Sequence, residues 1–407
     1  MSKVENPEVL LRVENLCQYF KSGKYENKAV DNVSFDIKKG EVFGLVGESG
    51  CGKTTTGRSI IKIYDITSGS IYFKGQRICA GVRSYKDAIK AARKELKSLN
   101  AGDPTSEARK KELEDTIAHN QEEIKKARFD HKNSDKLYAK RLVEEVKAEY
   151  EPKLAAAKDD PAALKELQRK YRDALRVATN TKLITQIQMI FQDPIASLDP
   201  RMTVREIIAE GLVINGIRDQ QYIDEKVYEI LEMVGLVREH AGRYPHEFSG
   251  GQRQRIGIAR SVIMKPDLLI ADEPVSALDV SIQAQVINLL NDLRDQLGLT
   301  ILFIAHDLSV VKYFSDRIGV MYYGNMVELA DSDELFAHPM HPYTRSLLSA
   351  IPLPDPRAEK RRTRITYNAL AAHDYSEDKP SLREIIPGHF VHCNDAEEKA
   401  YREEFGL

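Results

Sequence analysis

Cysteine is scarce, with four in a chain of 407 residues. So few thiols do not make a disulfide framework, and they favour a reducing compartment. Long apolar runs are also missing. The most apolar uncharged stretch lies at about residues 296–305, whereas a membrane-spanning helix needs about 20 such residues. The first residues are polar and charged, unlike a signal peptide. We therefore expect no spanning helix, and we expect that any function at a membrane is carried out from the membrane surface.

Neither sign of charge is in excess, because 60 Lys and Arg residues balance 62 Asp and Glu residues. This balance argues against a polycation that coats nucleic acid, and we expect no nucleic-acid partner. Apolar residues make up 42% of the chain, which is enough for a sizeable core and argues against wholesale disorder. The length allows about two to four domains.

The charge is concentrated in residues 84–182, where 43 of 99 residues are Asp, Glu, Lys or Arg. Apolar residues recur there at heptad-like spacing, in stripes that begin at Tyr85, Leu113, Leu142 and Leu164. A glycine and three prolines separate the stripes. We predict three or four amphipathic helices, folded back into a narrow, solvated bundle.

Outside this block, short apolar strands alternate with amphipathic helices. Residues 42–46 form an apolar run that ends in a glycine-rich loop, and a helical pattern follows at about residues 53–63. The runs at 268–271 and 300–304 are continuously apolar, as buried parallel strands tend to be. The pattern predicts an α/β fold.

A phosphate-binding loop follows the first of these strands. Residues 47–54 read Gly-Glu-Ser-Gly-Cys-Gly-Lys-Thr and match the pattern G-x-x-x-x-G-K-[ST]. In such a loop, backbone N–H groups cradle phosphate oxygens and the next helix presents its positive end. The lysine reaches the β- and γ-phosphates, and the threonine hydroxyl ligates Mg²⁺. The predicted ATP-binding positions are Gly47, Glu48, Ser49, Gly50, Cys51, Gly52, Lys53, Thr54 and Thr55.

Two carboxylates end the apolar run at 268–271. Asp272 is placed to hold Mg²⁺, the second half of a phosphate-loop nucleotide site. Glu273 follows on the opposite side of the strand's end and is predicted to activate the attacking water as a general base.

Further motifs, in this order along the chain, resemble those of ATP-binding cassette (ABC) ATPases. Residues 248–252, Phe-Ser-Gly-Gly-Gln, resemble the family's signature sequence, and residues 276–279, Ser-Ala-Leu-Asp, resemble its D-loop. The resemblance implies a P-loop NTPase fold with a helical subdomain. Its implied site residues are Phe20 against adenine, Gln192 of the Q-loop as a catalytic residue and metal ligand, Ser249, Gly250, Gly251, Gln252 and Asp279 at the nucleotide, and the switch histidine His306.

In this family the signature of one subunit closes on the nucleotide of another, so the resemblance implies a dimer of cassettes with ATP between them. The tail narrows the resemblance to one group of the family. Residues 338–352, from His-Pro-Met-His-Pro-Tyr-Thr-Arg onward, resemble the C-terminal extension of oligopeptide/dipeptide importer ATPases. That group implies a paralogous second cassette, two permease subunits, an extracytoplasmic binding protein and a peripheral position at the cytoplasmic face of the membrane. ATP and Mg²⁺ are the implied ligands.

The resemblance divides the chain into an ATPase domain at 1–83 and 184–330, with a helical signature subdomain at about 193–262. An inserted helical bundle occupies 84–183, and a C-terminal extension occupies 331–407. Many relatives carry a cysteine cluster in the extension, but this tail has only Cys393, so we expect no iron–sulfur centre. Relatives have a short connection where the insert lies, so the insert departs from the expected pattern.

Three alternatives remain open: an importer of another solute, a chromosome or repair ATPase, and a non-hydrolytic regulatory cassette. The solute is a peptide or, because related ATPases serve other importers, nickel or another small solute. A chromosome or repair ATPase also inserts coiled coil, but its insert follows the Q-loop, and this block, broken by prolines, is not expected to make a long rod. A non-hydrolytic regulatory cassette is disfavoured by Glu273, His306 and an intact signature. We expect the insert to contact a partner near the membrane.

Overall fold

The structure is a computed structural model that describes residues 8–99, 104–156, 161–193, 196–276, 278–351 and 364–406. The strands are β1 Val9–Ser22, β2 Tyr25–Lys38, β3 Val42–Val46, β4 Ser68–Phe73, β5 Gln76–Ala80, β6 Ile187–Ile190, β7 Leu268–Asp272, β8 Thr300–Ala305, β9 Arg317–Tyr322, β10 Asn325–Asp331, β11 Ser381–Ile386 and β12 His389–Cys393. The helices are α1 Lys53–Ile60, α2 Arg83–Ser98, α3 Pro104–Ala156, α4 Pro161–Asn180, α5 Val204–Ile214, α6 Gln220–Met233, α7 Gly250–Val262, α8 Val280–Leu297, α9 Leu308–Phe314, α10 Ser332–Ala337, α11 Pro342–Ser349, α12 Ala369–Ala372 and α13 Asp395–Glu404.

An eight-stranded sheet positions the site. Its strand order is β11-β12-β10-β9-β3-β8-β7-β6. The five strands from β9 to β6 are parallel, and every residue of β3, β7 and β8 is buried. Their continuous apolar runs follow from this burial on both faces. The loops after β3, β6, β7 and β8 leave the sheet at one edge, so four predicted motifs are brought to the same place.

A second, four-stranded sheet has the antiparallel order β2-β1-β4-β5. It packs on the main sheet through a shared core that includes Phe35 and Phe43, whose rings stack 5.1 Å apart. Helices α5, α6 and α7 pack together, and their apolar residues, among them Ile208, Val227 and Ile258, share one core cluster with the main sheet. The α5 helix begins at a capping box of Thr203 and Glu206.

The inserted block has three helices folded back on one another, but one of them is far longer than expected, so the expectation that the block makes no long rod was wrong. Helix α3 has 53 residues and contains Pro152, and at 1.5 Å per residue it is about 80 Å long. The stripes that begin at Leu113 and Leu142 both lie on it. Helix α2 packs antiparallel on its first part, where Arg109 pairs with Glu95, and α4 packs on its last part.

The middle of α3 rests on the four-stranded sheet. Ala127, Ser134 and Tyr138 are buried there. The guanidinium of Arg77 on β5 contacts Asp130 of α3 at 2.7 Å. The insert is therefore anchored through the centre of its longest helix.

The C-terminal region contributes two strands to the main sheet. Strand β12 pairs with β10 and with β11, antiparallel in both cases. Helix α13 packs on this hairpin, with Tyr401 and Cys393 buried between them. Among the described residues, no helix combines the length and apolar character needed to span a bilayer.

Candidate active site

The phosphate-binding loop connects β3 to the start of α1. Gly47 has φ of 147°, and a Cβ atom there would lie 2.2 Å from the carbonyl oxygen of Met321, so only glycine fits. The buried ammonium of Lys53 donates to the carbonyl oxygens of Gly47 at 2.7 Å and Glu48 at 2.9 Å. The lysine is thus held by the loop that it is predicted to serve.

The hydroxyl of Thr54 donates to Oδ1 of Asp272 at 2.8 Å. Asp272 is fully buried, and its Oδ2 has no hydrogen-bond partner. Burial raises the pKa of Asp272, and the Thr54 hydroxyl acts in the opposite direction. A buried carboxylate oxygen without a partner, beside a threonine hydroxyl, fits a hard divalent cation.

Two other predicted residues contact the carboxylate of Glu273. The Gln192 side-chain amide donates to Oε2 of Glu273 at 3.0 Å, and Nδ1 of His306 lies 3.4 Å from the same oxygen. Glu273 has φ of 46°, a left-handed backbone that costs energy in a non-glycine residue and is typical of functional sites. Its backbone N–H is fixed by the carbonyl of Ile304 at 2.9 Å. The sheet therefore brings Gln192, Glu273 and His306 together.

The predicted adenine platform lies on the second sheet. Phe20 is on β1, and 36% of its surface is exposed. Its ring meets that of Tyr64 edge to face at 5.2 Å between centroids. Tyr64 comes shortly after α1 and was missed, because an isolated aromatic residue in a loop carries no motif.

The signature residues lie apart from the phosphate-binding loop, at the start of α7. Ser249 caps this helix: its hydroxyl accepts from the N–H of Gln252, whose side-chain oxygen accepts from the N–H of Ser249. A Cβ atom on Gly251 would lie 2.8 Å from Ile282 on α8, and Asp279 precedes α8. The predicted signature and D-loop are thus neighbours, on a surface that a second subunit can reach. Ala277 lies outside the described residues.

The C-terminal region reaches the phosphate-binding loop. The hydroxyl of Tyr343, on α11, accepts a hydrogen bond of 3.0 Å from the backbone N–H of Glu48. The two residues are 295 positions apart, and no local pattern relates them.

All four cysteines are free and buried. Burial raises the pKa of Cys51, although Lys53 opposes the shift, and burial raises the pKa of Cys393 to about 12. A thiol that resists ionisation is a poor nucleophile. Within the described ranges, no group of three or more His, Cys, Asp or Glu side chains is placed to hold a metal ion.

Two family models match the chain. The ABC transporter model matches residues 30–159 and 162–276. A model described as the oligopeptide/dipeptide transporter C-terminal region matches residues 327–380.

Curated relatives align over almost the whole chain. The oligopeptide transport ATP-binding protein OppF of Bacillus subtilis is 45% identical over 395 residues, which is 97% of this chain and 99% of that protein. The dipeptide transport ATP-binding protein DppF of Lactococcus lactis is 42% identical over 400 residues, covering 97% of both. The oligopeptide transport ATP-binding protein AmiF of Streptococcus pneumoniae is 43% identical over 396 residues, covering 97% of this chain and 98% of that protein.

Solved structures show the same fold. A dimeric post-hydrolysis state of the cassette MJ0796, bound to ADP and phosphate, has a TM-score of 0.50 at 21% identity and covers 79% of this chain and 99% of that chain. The CbiO1 subunit from Clostridium perfringens has a TM-score of 0.50 at 20% identity, covering 81% and 91%.

With its P-loop NTPase fold, the chain belongs to the ABC transporter ATP-binding family, in the group that carries the oligopeptide/dipeptide transporter C-terminal region.

Proposed function

We propose that the chain is the ATP-hydrolysing subunit of a membrane ABC importer for oligopeptides or dipeptides. The observation that carries the proposal is the contact of Gln192 and His306 with the carboxylate of Glu273, in a chain whose relatives are named peptide transport ATP-binding proteins. Nickel, or another small solute, is the alternative cargo, because the nucleotide site does not touch the solute.

ATP would occupy the loop at residues 47–54, with Lys53 exchanging its carbonyl partners for phosphate oxygens. Phe20 would stack on adenine, and its neighbour Tyr64 holds the Phe20 ring from the side. Glu273 would accept a proton from the attacking water while His306 and Gln192 orient its carboxylate. Phosphoryl transfer needs positioning and charge stabilisation more than covalent chemistry, and these groups supply it.

The residues that would hold Mg²⁺ are Thr54, Asp272 and Gln192. The ion would neutralise charge that develops on the phosphate oxygens. The unpartnered Oδ2 of Asp272 supports this assignment. Gln192 hydrogen-bonds Glu273 in this structure, so its side chain would have to turn to reach the ion.

The signature at Ser249–Gln252 would act on the nucleotide of a second cassette. The N-terminus of α7 offers backbone N–H groups and a positive helix end, which favour a phosphate. We further propose that this second cassette is a paralogue, that two permease subunits form the pore, and that an extracytoplasmic binding protein delivers the peptide. The chain would lie on the cytoplasmic face of the membrane as a peripheral subunit.

Replacement of Glu273 by Gln tests the proposed reaction. Loss of the general base should lower the turnover number at least about 100-fold while ATP still binds, so that ATP stays trapped in the assembled complex. Steady-state phosphate release and retention of labelled ATP on gel filtration measure the two effects.

Glu232→Gln is the matched control, because Glu232 is an exposed carboxylate on α6 that pairs with Arg238. Its turnover should equal that of the unchanged protein. An unchanged rate for Glu273→Gln would show that the general base has been assigned to the wrong residue.

A further inference from the structure

Tyr343 connects the C-terminal region to the phosphate-binding loop through a hydrogen bond. It lies on α11, only 1% of its surface is exposed, and its hydroxyl accepts the backbone N–H of Glu48 at 3.0 Å. The residue has no place in the phosphate-loop motif or in the reaction described above.

The N–H of Glu48 and the carbonyl of Gly47 belong to the same peptide group. Lys53 donates to that carbonyl at 2.7 Å, and Tyr343 accepts from that N–H. Both ends of the peptide are therefore fixed, one by the lysine of the loop and the other by the C-terminal region. When Lys53 moves to a phosphate, Tyr343 is the partner that keeps the peptide in place.

Tyr343 is itself held rigidly. Its backbone N–H donates to Nδ1 of His341 at 3.2 Å. The N–H groups of Met340 and His341 donate to the buried carboxylate of Glu328, and Nε2 of His389 lies 2.8 Å from the same carboxylate. This network connects α11 to β10 and β12 of the main sheet.

Aromatic packing fixes the side chain as well. The Tyr343 ring lies 4.4 Å from that of Tyr322 and 5.4 Å from that of Tyr367, centroid to centroid. A hydroxyl held by a packed ring is a precise acceptor, because its position does not depend on a flexible stem.

We propose that Tyr343 is a positioning residue for nucleotide binding: it presets the Gly47–Glu48 peptide, and with it the shape of the loop that receives the phosphates. It touches no substrate. The inference rests on the proposed function, since it assumes that this loop binds ATP. It gives the C-terminal region a role in the ATPase cycle.

Without the acceptor, the partly buried Glu48 N–H loses its hydrogen bond to the protein, which is unfavourable. The free loop relieves this by rotating the peptide towards water, and ATP binding has to reverse the rotation. Affinity falls because the loop is no longer preorganised. The chemistry at Glu273 is unaffected once ATP is bound.

The test is Tyr343→Phe in the full-length chain, with Tyr367→Phe as the matched control. Each variant loses one hydroxyl from the same aromatic cluster, but only Tyr343 contacts the loop. We expect Tyr343→Phe to raise the Kd of a fluorescent ATP analogue with Mg²⁺ about five- to tenfold. The KM for ATP should rise in parallel, kcat should stay within about twofold, and Tyr367→Phe should resemble the unchanged protein.

Three results would overturn the inference: an unchanged Kd for Tyr343→Phe, an equal loss in Tyr367→Phe, or a fall in kcat at constant KM. An equal loss in both variants would indicate packing alone. Failure of the proposed function looks different, because the unchanged protein would then bind no ATP analogue.

Discussion

A histidine in the C-terminal region makes stability depend on pH. His341 is buried, and burial first, then the neighbouring His373 and His392, lowers the pKa of His341 to about 3. An unfolded histidine takes up a proton near pH 6.5. Below that pH the unfolded chain binds a proton that the folded chain does not bind. The free energy of unfolding therefore decreases as the pH falls from about 6.5 towards 3.

Replacement of His341 by Asn should remove part of this acid sensitivity. Asn keeps a side-chain acceptor for the N–H of Tyr343 at the start of α11, but it does not titrate. At pH 5 the unchanged protein should lose about 2 kcal/mol from this residue relative to neutral pH. Melting curves between pH 7.5 and 5 should therefore fall less steeply for the variant.

The control is His119→Asn, at an exposed position on α3. It should leave the pH dependence unchanged. If His341→Asn and the unchanged protein lost stability equally between pH 7.5 and 5, the buried histidine would not be the source.

The chemistry-bearing residues could be predicted individually because each sits in a short pattern. Lys53 follows glycines and Glu273 follows a buried strand, and these local patterns suggest the role that we propose for each. Tyr343 and Tyr64 could not be predicted, because their contacts join segments that no pattern relates. The Tyr343 contact depends on long-range structure, because the carboxylate of Glu328 on β10 holds the residues just before α11.

At the scale of elements, α3 shows why one long helix was predicted as two shorter ones. The same face of α3 packs on the protein along the helix. In the middle of that face the residues are small or polar: Ala127, His131 and Ser134. Read as breaks, they divide one helix into two. Pro152 lies near the end of α3, where the loss of one backbone hydrogen bond affects only the last turns.

The contact between Arg77 and Asp130 should hold the middle of α3. Only 11% and 23% of their side chains are exposed, so solvent screens the pair less than a surface pair. A double-mutant cycle with Arg77→Ala and Asp130→Ala should give a coupling energy of about 1 kcal/mol. The chain lacks tryptophan, so Phe129→Trp, at an exposed position on α3, supplies a unique fluorescence reporter for urea unfolding.

A second cycle on Glu95 and Arg109 serves as the comparison. These side chains are 43% and 44% exposed, and their coupling energy should be clearly smaller than that of Arg77 and Asp130, because solvent screens an exposed pair. Equal coupling in the two cycles would mean that the centre of α3 is no better anchored than its end.

At the scale of the whole molecule, the regions that the motifs define pack against one another across their boundaries. Residues after 331 complete the main sheet and reach the nucleotide loop, and the insert shares an apolar cluster with the β-sheets through Tyr138 and Leu142. Removal of residues 84–182 would therefore uncover core surface as well as delete the insert. A loss of transport would then have two explanations.

Shorter deletions separate them. We propose that an end of the insert contacts a membrane partner, and the antiparallel pairs mark where each end can be closed. Residues 96–108 and 151–170 can each be replaced by a short flexible linker, because Glu95 pairs with Arg109 and the rings of Tyr150 and Tyr171 stack at 5.5 Å. Both shortened chains keep the anchored middle of α3, so ATP affinity should equal that of the unchanged protein. Co-purification with the permease subunits from detergent-solubilised membranes should be lost in one of them. Normal assembly and peptide uptake with both deletions, alone and combined, would show that the insert does not contact the permease.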